Sequence, residues 1–251
     1  MKIIILYFFL FCSILQARDL GQIEITTEEG VEVYQKEKYY LLKKNVKIVS
    51  DTFNLTAQKV KAYFDKDLYD ITEIYSQGNV VLESNQGLKV LGNEVDYSVK
   101  ANDIQIRGKK CFLKNNNITM SSDKSISVNN SNGEFELFGS SSQLISNDIS
   151  ILGENIEGVF INVNGENIIE KLKVEDKKQV NIKTETLNMF ALRAEFNNDT
   201  NIIKLFDNVK IFKNNELISG DYAEMNTLDE SYKIRSLDSK RVKVLLEKAD
   251  E

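Results

Sequence analysis

The sequence predicts an all-β protein, elongated and built from stacked strand-turn-strand units. Three observations predict it. Apolar and polar residues alternate with the period of two that marks half-buried strands, as in Gln77–Gly108, where Val80 and Leu82 alternate with Val81 and Glu83. The alternating runs break on Gly, Asn, Asp and Ser, which tolerate turn dihedrals. The pattern also returns along the chain at a spacing of roughly thirty residues, in the range of stacked supersecondary repeats. A hairpin-sized unit cannot cover its own apolar face, so neighbours must stack and a continuous β structure follows.

Within Gln77–Gly108 the alternation reads as short strands over Val80–Glu83, Leu88–Leu91 and Glu94–Lys100, closed by Ile104 and Ile106. Residues 1–17, MKIIILYFFLFCSILQA, carry one lysine before an apolar run of signal-peptide length, with Ala17 as a small residue for cleavage. A retained anchor is the alternative. Residues 18–246 form the body. Ile23, Ile25, Val31 and Val33 begin the alternation, and Lys44–Phe64 follows as the first full copy. Laid over Gln77–Gly108, Asn45-Val46 falls on Asn79-Val80, Ala57 on Gly92, Val60 on Val95 and Ala62 on Tyr97. In Asp207–Met225, Asn208-Val209 and Gly220 take the same places, and Ala191 takes the small-residue place in Gln179–Phe206. Weaker copies occupy Ile118–Phe138 and Leu144–Phe160. Residues 166–175 read as a strand or as a short helix. The Asn-, Ser- and Gly-rich tract 129–142 is the place for a loop or a bend between two halves. Arg241–Leu246 alternates as a last strand, and 247–251 reads as a disordered tail.

Composition narrows the chemistry. The 251 residues carry a formal net charge of −6 and contain no histidine, proline or tryptophan. Histidine is the commonest general base and metal ligand, so its absence weighs against an enzyme. Asp65, Asp67 and Asp70 resemble the start of a calcium loop, but Asp70 stands where glycine is needed and Ser76 where glutamate is needed. No phosphate-binding glycine loop, Cys-x-x-Cys pair or nucleophile elbow is present. The reading is therefore no enzyme, no metal, no cofactor and, given the acidic balance, no nucleic acid. Of the two cysteines, Cys12 falls in the leader and Cys111 reads as a small buried apolar residue.

What remains is apolar strand surface. Alternation puts Val46, Ile48, Leu55, Ala57, Val60, Ala62 and Phe64 on one side. By the same rule Val80, Leu82, Leu88, Val90, Val95 and Tyr97 face that interior, and Val209, Ile211, Ile218 and Met225 continue it. Such a surface is a dry core or, where its two faces stay apart, a lipid-binding groove.

A strand beginning "GNV", an apolar-polar strand ending in a small residue, and then "A-x-x-V-x-A-Y-F-D" resemble the OstA-like repeat of the LptA family of periplasmic lipopolysaccharide-transport proteins, with LptC and the N-terminal domain of LptD as relatives. The clearest carriers are Asn45–Asp65, Gly78–Tyr97 and Asn208–Met225; the likeness is weakest over Asn115–Lys178. The resemblance implies a twisted β-jelly roll, open along one seam, that holds the lipid A acyl chains of lipopolysaccharide in an apolar β-groove. It implies a periplasmic bridge between inner and outer membrane, self-associating head to tail or joining LptC-type and LptD-type jelly rolls strand to strand. Two other readings stand beside it: a membrane-anchored LptC-type component, and a structural β-solenoid with a closed core and no lipid cargo.

Overall fold

In a computed structural model the chain is all-β, and every strand pairing among the described residues is antiparallel. The structure describes residues 23–66, 70–101, 103–147, 149–213, 216–236 and 241–246. The leader over 1–17 and the tail over 247–251 lie outside them.

The first pass is β1 (Glu24–Thr26) and β2 (Val31–Tyr34), followed by β3 (Tyr39–Val49), β4 (Phe53–Phe64), β5 (Ile71–Ser84) and β6 (Lys89–Ser98). The next two passes are each split in two: β7 (Asp103–Arg107) with β8 (Cys111–Asn115), then β9 (Ile118–Ser122) with β10 (Ser125–Val128). Long strands resume with β11 (Glu134–Ser146), β12 (Ile149–Val163), β13 (Glu166–Lys183), β14 (Leu187–Asn197), β15 (Ile202–Lys213) and β16 (Glu216–Asn226). The last pass is β17 (Tyr232–Arg235) and β18 (Lys243–Leu246). Each pass pairs with its neighbours in sequence, so among the described residues eighteen strands make fourteen passes of one meander. At a strand spacing of about 4.8 Å the meander runs for roughly 60 Å.

Every pass turns a corner at its middle, where the register slips. The corners align into a spine, and the meander folds along it into two sheets joined strand by strand. Sheet 1 holds β2, β7, β10, β17 and one half of each long strand; sheet 2 holds β1, β8, β9, β18 and the other halves. The hairpin turns form two lips on the side away from the spine.

The corner chemistry explains the repeats. In β3, β5 and β15 the corner is a pair of left-handed residues before a buried valine: Lys44 and Asn45 (φ 62° and 49°), Gly78 and Asn79 (84° and 48°), Asp207 and Asn208 (65° and 55°). Asn and Gly bear that conformation at least cost. On β4, β6, β14 and β16 the facing corner residue is small, and Val46 pairs with Ala57, Val80 with Gly92, Val180 with Ala191 and Val209 with Gly220. A small residue is needed because the sheets close here. A β-carbon on Gly92, Gly153 or Gly220 would lie 2.5, 2.6 or 2.6 Å from a branched methyl of Ile106, Val174 or Ile234. The recurring small register is a packing requirement of the spine.

Across the corner the inward parity flips, so Val90 and Val95 are both buried although five residues apart. Two apolar rows therefore run the length of the molecule. In sheet 2 the row passes from Ile25, Ile48 and Leu55 to Ile211, Ile218 and Val244; in sheet 1 it passes from Leu42 and Val60 to Leu205, Ala223 and Ile234.

Three expectations on elements change. Leu88–Leu91 and Glu94–Lys100 do not form separate strands: residues 89–98 are the single strand β6, bent at Gly92, and Val99 lies in the turn beyond. Residues 166–175 belong to β13, not to a helix. The tract 129–142 is a turn over 129–133 followed by strand, while the two interrupted passes in the middle of the chain break at 108–110 and 123–124.

Candidate functional site

Among the described residues the lips come together in two places. Asn117 Nδ2, on a turn of sheet 2, donates to the Asn167 carbonyl of sheet 1 at 3.4 Å. Nearer the last pass, Thr186 Oγ1 donates to Glu230 Oε1 at 2.6 Å. In both cases the sheet 2 turn meets a sheet 1 turn about three strands further along, an offset that follows from the twist of the stacked sheets.

Between the first pass and the Asn117 contact the lips stand apart and leave a cleft of about 560 Å³. Its apolar walls are Phe53, Leu82, Leu88, Leu113, Ile118 and Met120 from sheet 2, and Tyr97, Ile104, Val128 and Phe160 from sheet 1. Phe160 is fixed by stacking on Phe135 with ring centroids 4.1 Å apart, and Gly158 makes room for that stack, since a β-carbon there would lie 2.6 Å from Phe135 Cζ. Burial raises the pKa of the Tyr97 phenol.

The rim differs from the walls. On the sheet 2 lip it is Thr52, Ser84, Asn85, Gln86 and Asn115, and on the sheet 1 lip it is Asn130, Ser131, Asn132, Asn162 and Asn167. Several are positioned by short-range bonds: Asn85 Nδ2 donates to the Asp51 carbonyl, and Asn162 Nδ2 donates to Asn167 Oδ1 at 3.2 Å. Asp51 is the one charged residue among the described residues that line the cleft.

The seventeen sequence-selected residues are all inward-facing but lie at two depths. Val46, Ile48, Leu55, Ala57, Val60, Ala62, Phe64, Val80, Leu82, Val90, Val95, Val209, Ile211 and Met225 are buried, whereas Leu88, Tyr97 and Ile218 are half-buried. Only Leu82, Leu88 and Tyr97 line the cleft. The rest pack on one another below it or beyond it. Sequence reasoning missed Phe53, Ile104, Leu113, Ile118, Met120, Val128 and Phe160. Alternation marks each as inward; their place at the strand ends nearest the lips is what brings them to the opening.

The ends of the roll are open as well. Ile25, Val31 and Val33 face inward on the first pass yet are 42, 49 and 44% exposed, and Val244 on the last pass is 50% exposed. Beyond β2 and β18 no further strand pairs among the described residues.

Among the described residues no cluster of three or more Asp, Glu or Cys is placed to hold a metal, and no helix is long and apolar enough to cross a membrane. Cys111 is buried, and burial pushes its thiol pKa up to about 11.

No family model and no curated protein matches the chain. Among solved structures, it is similar to the crystal structure of LptH from Pseudomonas aeruginosa, described as the LptA-homologous periplasmic component of the lipopolysaccharide transport device. That alignment covers 90% of this chain and 96% of the other at 10% identity, with a TM-score of 0.23. At that score the two backbones do not superpose as wholes, so the functional argument rests on this chain's own geometry.

Proposed function

We propose that this protein is a periplasmic carrier that holds the lipid A acyl chains of lipopolysaccharide and passes them along a bridge between inner and outer membrane. The observation that carries the reading is the cleft between the lips: apolar walls from both sheets, open to solvent, above an apolar interior that runs from end to end. Each methylene moved into water costs roughly 0.8 kcal/mol, so a chain of about a dozen opposes free passage by about 10 kcal/mol. Walls of Leu, Met, Val and Phe offset that without a covalent step.

The open ends support strand-to-strand assembly. At each end a row of inward-facing valine or isoleucine is half covered, and the outermost strand offers unpaired backbone groups. A second copy, an LptC-type jelly roll on the inner-membrane side or an LptD-type one on the outer-membrane side would continue both apolar rows. The half-open cleft favours this over a structural solenoid with a filled interior.

The test is site-specific photo-crosslinking in cells. Probes at Leu88 and Phe160, which line the cleft, are expected to capture lipopolysaccharide. A probe at Lys89, whose ammonium lies on the outer face 2.8 Å from Glu83, is not. Equal capture at all three positions, or capture at none, sinks the carrier reading. N-terminal sequencing of the exported chain separates a cleaved leader from an anchored LptC-type form.

A further inference from the structure

The rim of the cleft narrows what sits at its mouth. From its chemistry we infer that the cargo is a glycolipid whose sugar, where it meets the acyl chains, carries no free phosphate. The inference rests on the carrier reading and specifies its headgroup.

An amphiphile lying in the cleft places its first polar groups at the lips. A phosphorylated headgroup is held by Lys or Arg, whose charge and donor geometry match phosphate oxygens. Among the described residues that line this cleft there is none. Lys89 is engaged with Glu83 on the outer face, and Lys100, in the next turn of the sheet 1 lip, is not part of the lining.

What the lips present instead is neutral amide and hydroxyl. Gln86 and Ser131 are exposed on opposite lips, and Asn115, Asn132 and Asn162 stand beside them. Amides both donate and accept, as sugar hydroxyls and N-acyl groups do, so the rim pairs with a saccharide without requiring charge. The one charge on the rim, Asp51, and the formal net charge of −6 both oppose a phosphate. Walls and rim together fit apolar chains joined to an uncharged sugar.

The experiment measures binding of the full chain to bisphosphorylated lipid A and to its dephosphorylated form with the same acyl chains, in the same detergent at low salt. The dephosphorylated form is expected to bind about tenfold more tightly, with the gap shrinking as salt rises. The double variant Gln86→Lys/Ser131→Lys, at two exposed positions, is expected to reverse the preference while circular dichroism stays unchanged. Equal affinities, or tighter binding of the phosphorylated form to the unaltered chain, overturn the headgroup inference and leave the carrier reading standing. Failure of both lipids to bind overturns the two together.

Discussion

Gly92 faces Ile106 across the spine so closely that a β-carbon on the glycine would lie 2.5 Å from the isoleucine Cγ2. The same relation fixes which small residue each corner carries. The residue three places after the corner pairs across to Ile106, Val174 or Ile234 where the corner is Gly92, Gly153 or Gly220. It pairs to Ser76 or Leu205 where the corner is Ala57 or Ala191. Glycine stands opposite β-branched side chains and alanine opposite side chains not branched at the β-carbon. Gly92→Ala is therefore expected to cost about 1–3 kcal/mol by overpacking. Ile106→Ala alone leaves a cavity and costs about 2–5 kcal/mol. In the Ile106→Ala background the added methyl has room, and the Gly92→Ala penalty is expected to fall by at least about 0.5 kcal/mol in a double-mutant cycle from urea unfolding. Additive costs would show that the closeness of Gly92 and Ile106 is not what selects glycine.

The left-handed corners make a second prediction. Gly78 has φ 84°, and a β-carbon there would lie 2.7 Å from Gln58 Cβ; Asn79 follows at φ 48°. Gly78→Val meets both the backbone penalty and the contact, and is expected to cost more than about 2 kcal/mol. Asn79→Gly relieves the left-handed strain and is expected to be neutral within about 0.5 kcal/mol. The midpoint of urea unfolding, at unchanged slope, is the measurement. A Gly78→Val variant as stable as the parent would remove the corner from the account of the repeat.

These corners also show how far the sequence could be read. Asn45, Asn79 and Asn208, with Ala57, Gly92, Ala191 and Gly220, are the residues that both carry the repeat in the sequence and build the spine. The passes from β7 to β13, apart from the glycine corner of β12 at Gly153, make the same corner with other parts. There the chain breaks at Gly108 and at Asp123, or Asp176 Oδ1 accepts from the backbone N–H groups of Lys178 and Gln179 at 2.6 and 3.0 Å. One geometry with several local solutions leaves no single motif, which is why the likeness faded over 115–178. The cleft was legible only in part. Alternation says that Leu82, Met120 and Phe160 point inward, but their convergence on one opening depends on how far the two sheets shift past each other. No local pattern encodes that shift.

Cys111 gives a pH prediction. Its thiol is buried at the spine, within 3.1 Å of the Gly108 carbonyl and 3.3 Å of the Lys124 carbonyl, and burial pushes its pKa up to about 11. An unfolded cysteine titrates near about 8.5. Between those values the folded state holds a proton that the unfolded state has released. The contribution to stability is therefore full below about pH 8.5 and is lost as pH rises toward about 11. Compared with Cys111→Ala, the parent is expected to lose more stability over that window, read from urea midpoints at each pH. Alkylation by iodoacetamide at pH 8 is expected to be slow for Cys111 in the folded protein and to go to completion in urea. Fast alkylation of Cys111 without denaturant would contradict the buried placement.

The open ends make the last prediction. Val33 pairs with Tyr40 and Val244 with Ile218, so both face the interior, yet they stay 44 and 50% exposed because no further strand among the described residues covers them. An end that meets another end buries these side chains and pairs the free backbone edge of β2 or β18. A lysine in place of either valine forfeits about 1 kcal/mol of apolar burial and sets a charge where the edge must close. Val33→Lys and Val244→Lys are each expected to weaken concentration-dependent association at least about tenfold in sedimentation, while the urea midpoint of the monomer moves by less than about 0.5 kcal/mol, as befits half-exposed positions. Because the two ends are different surfaces, mixing the two variants provides the sharper measurement. Head-to-tail joining leaves each mutant one sound end, so an equimolar mixture should recover dimers but not longer chains. Recovery of long chains, or association untouched by either lysine, would mean that these edges are not where the protein assembles.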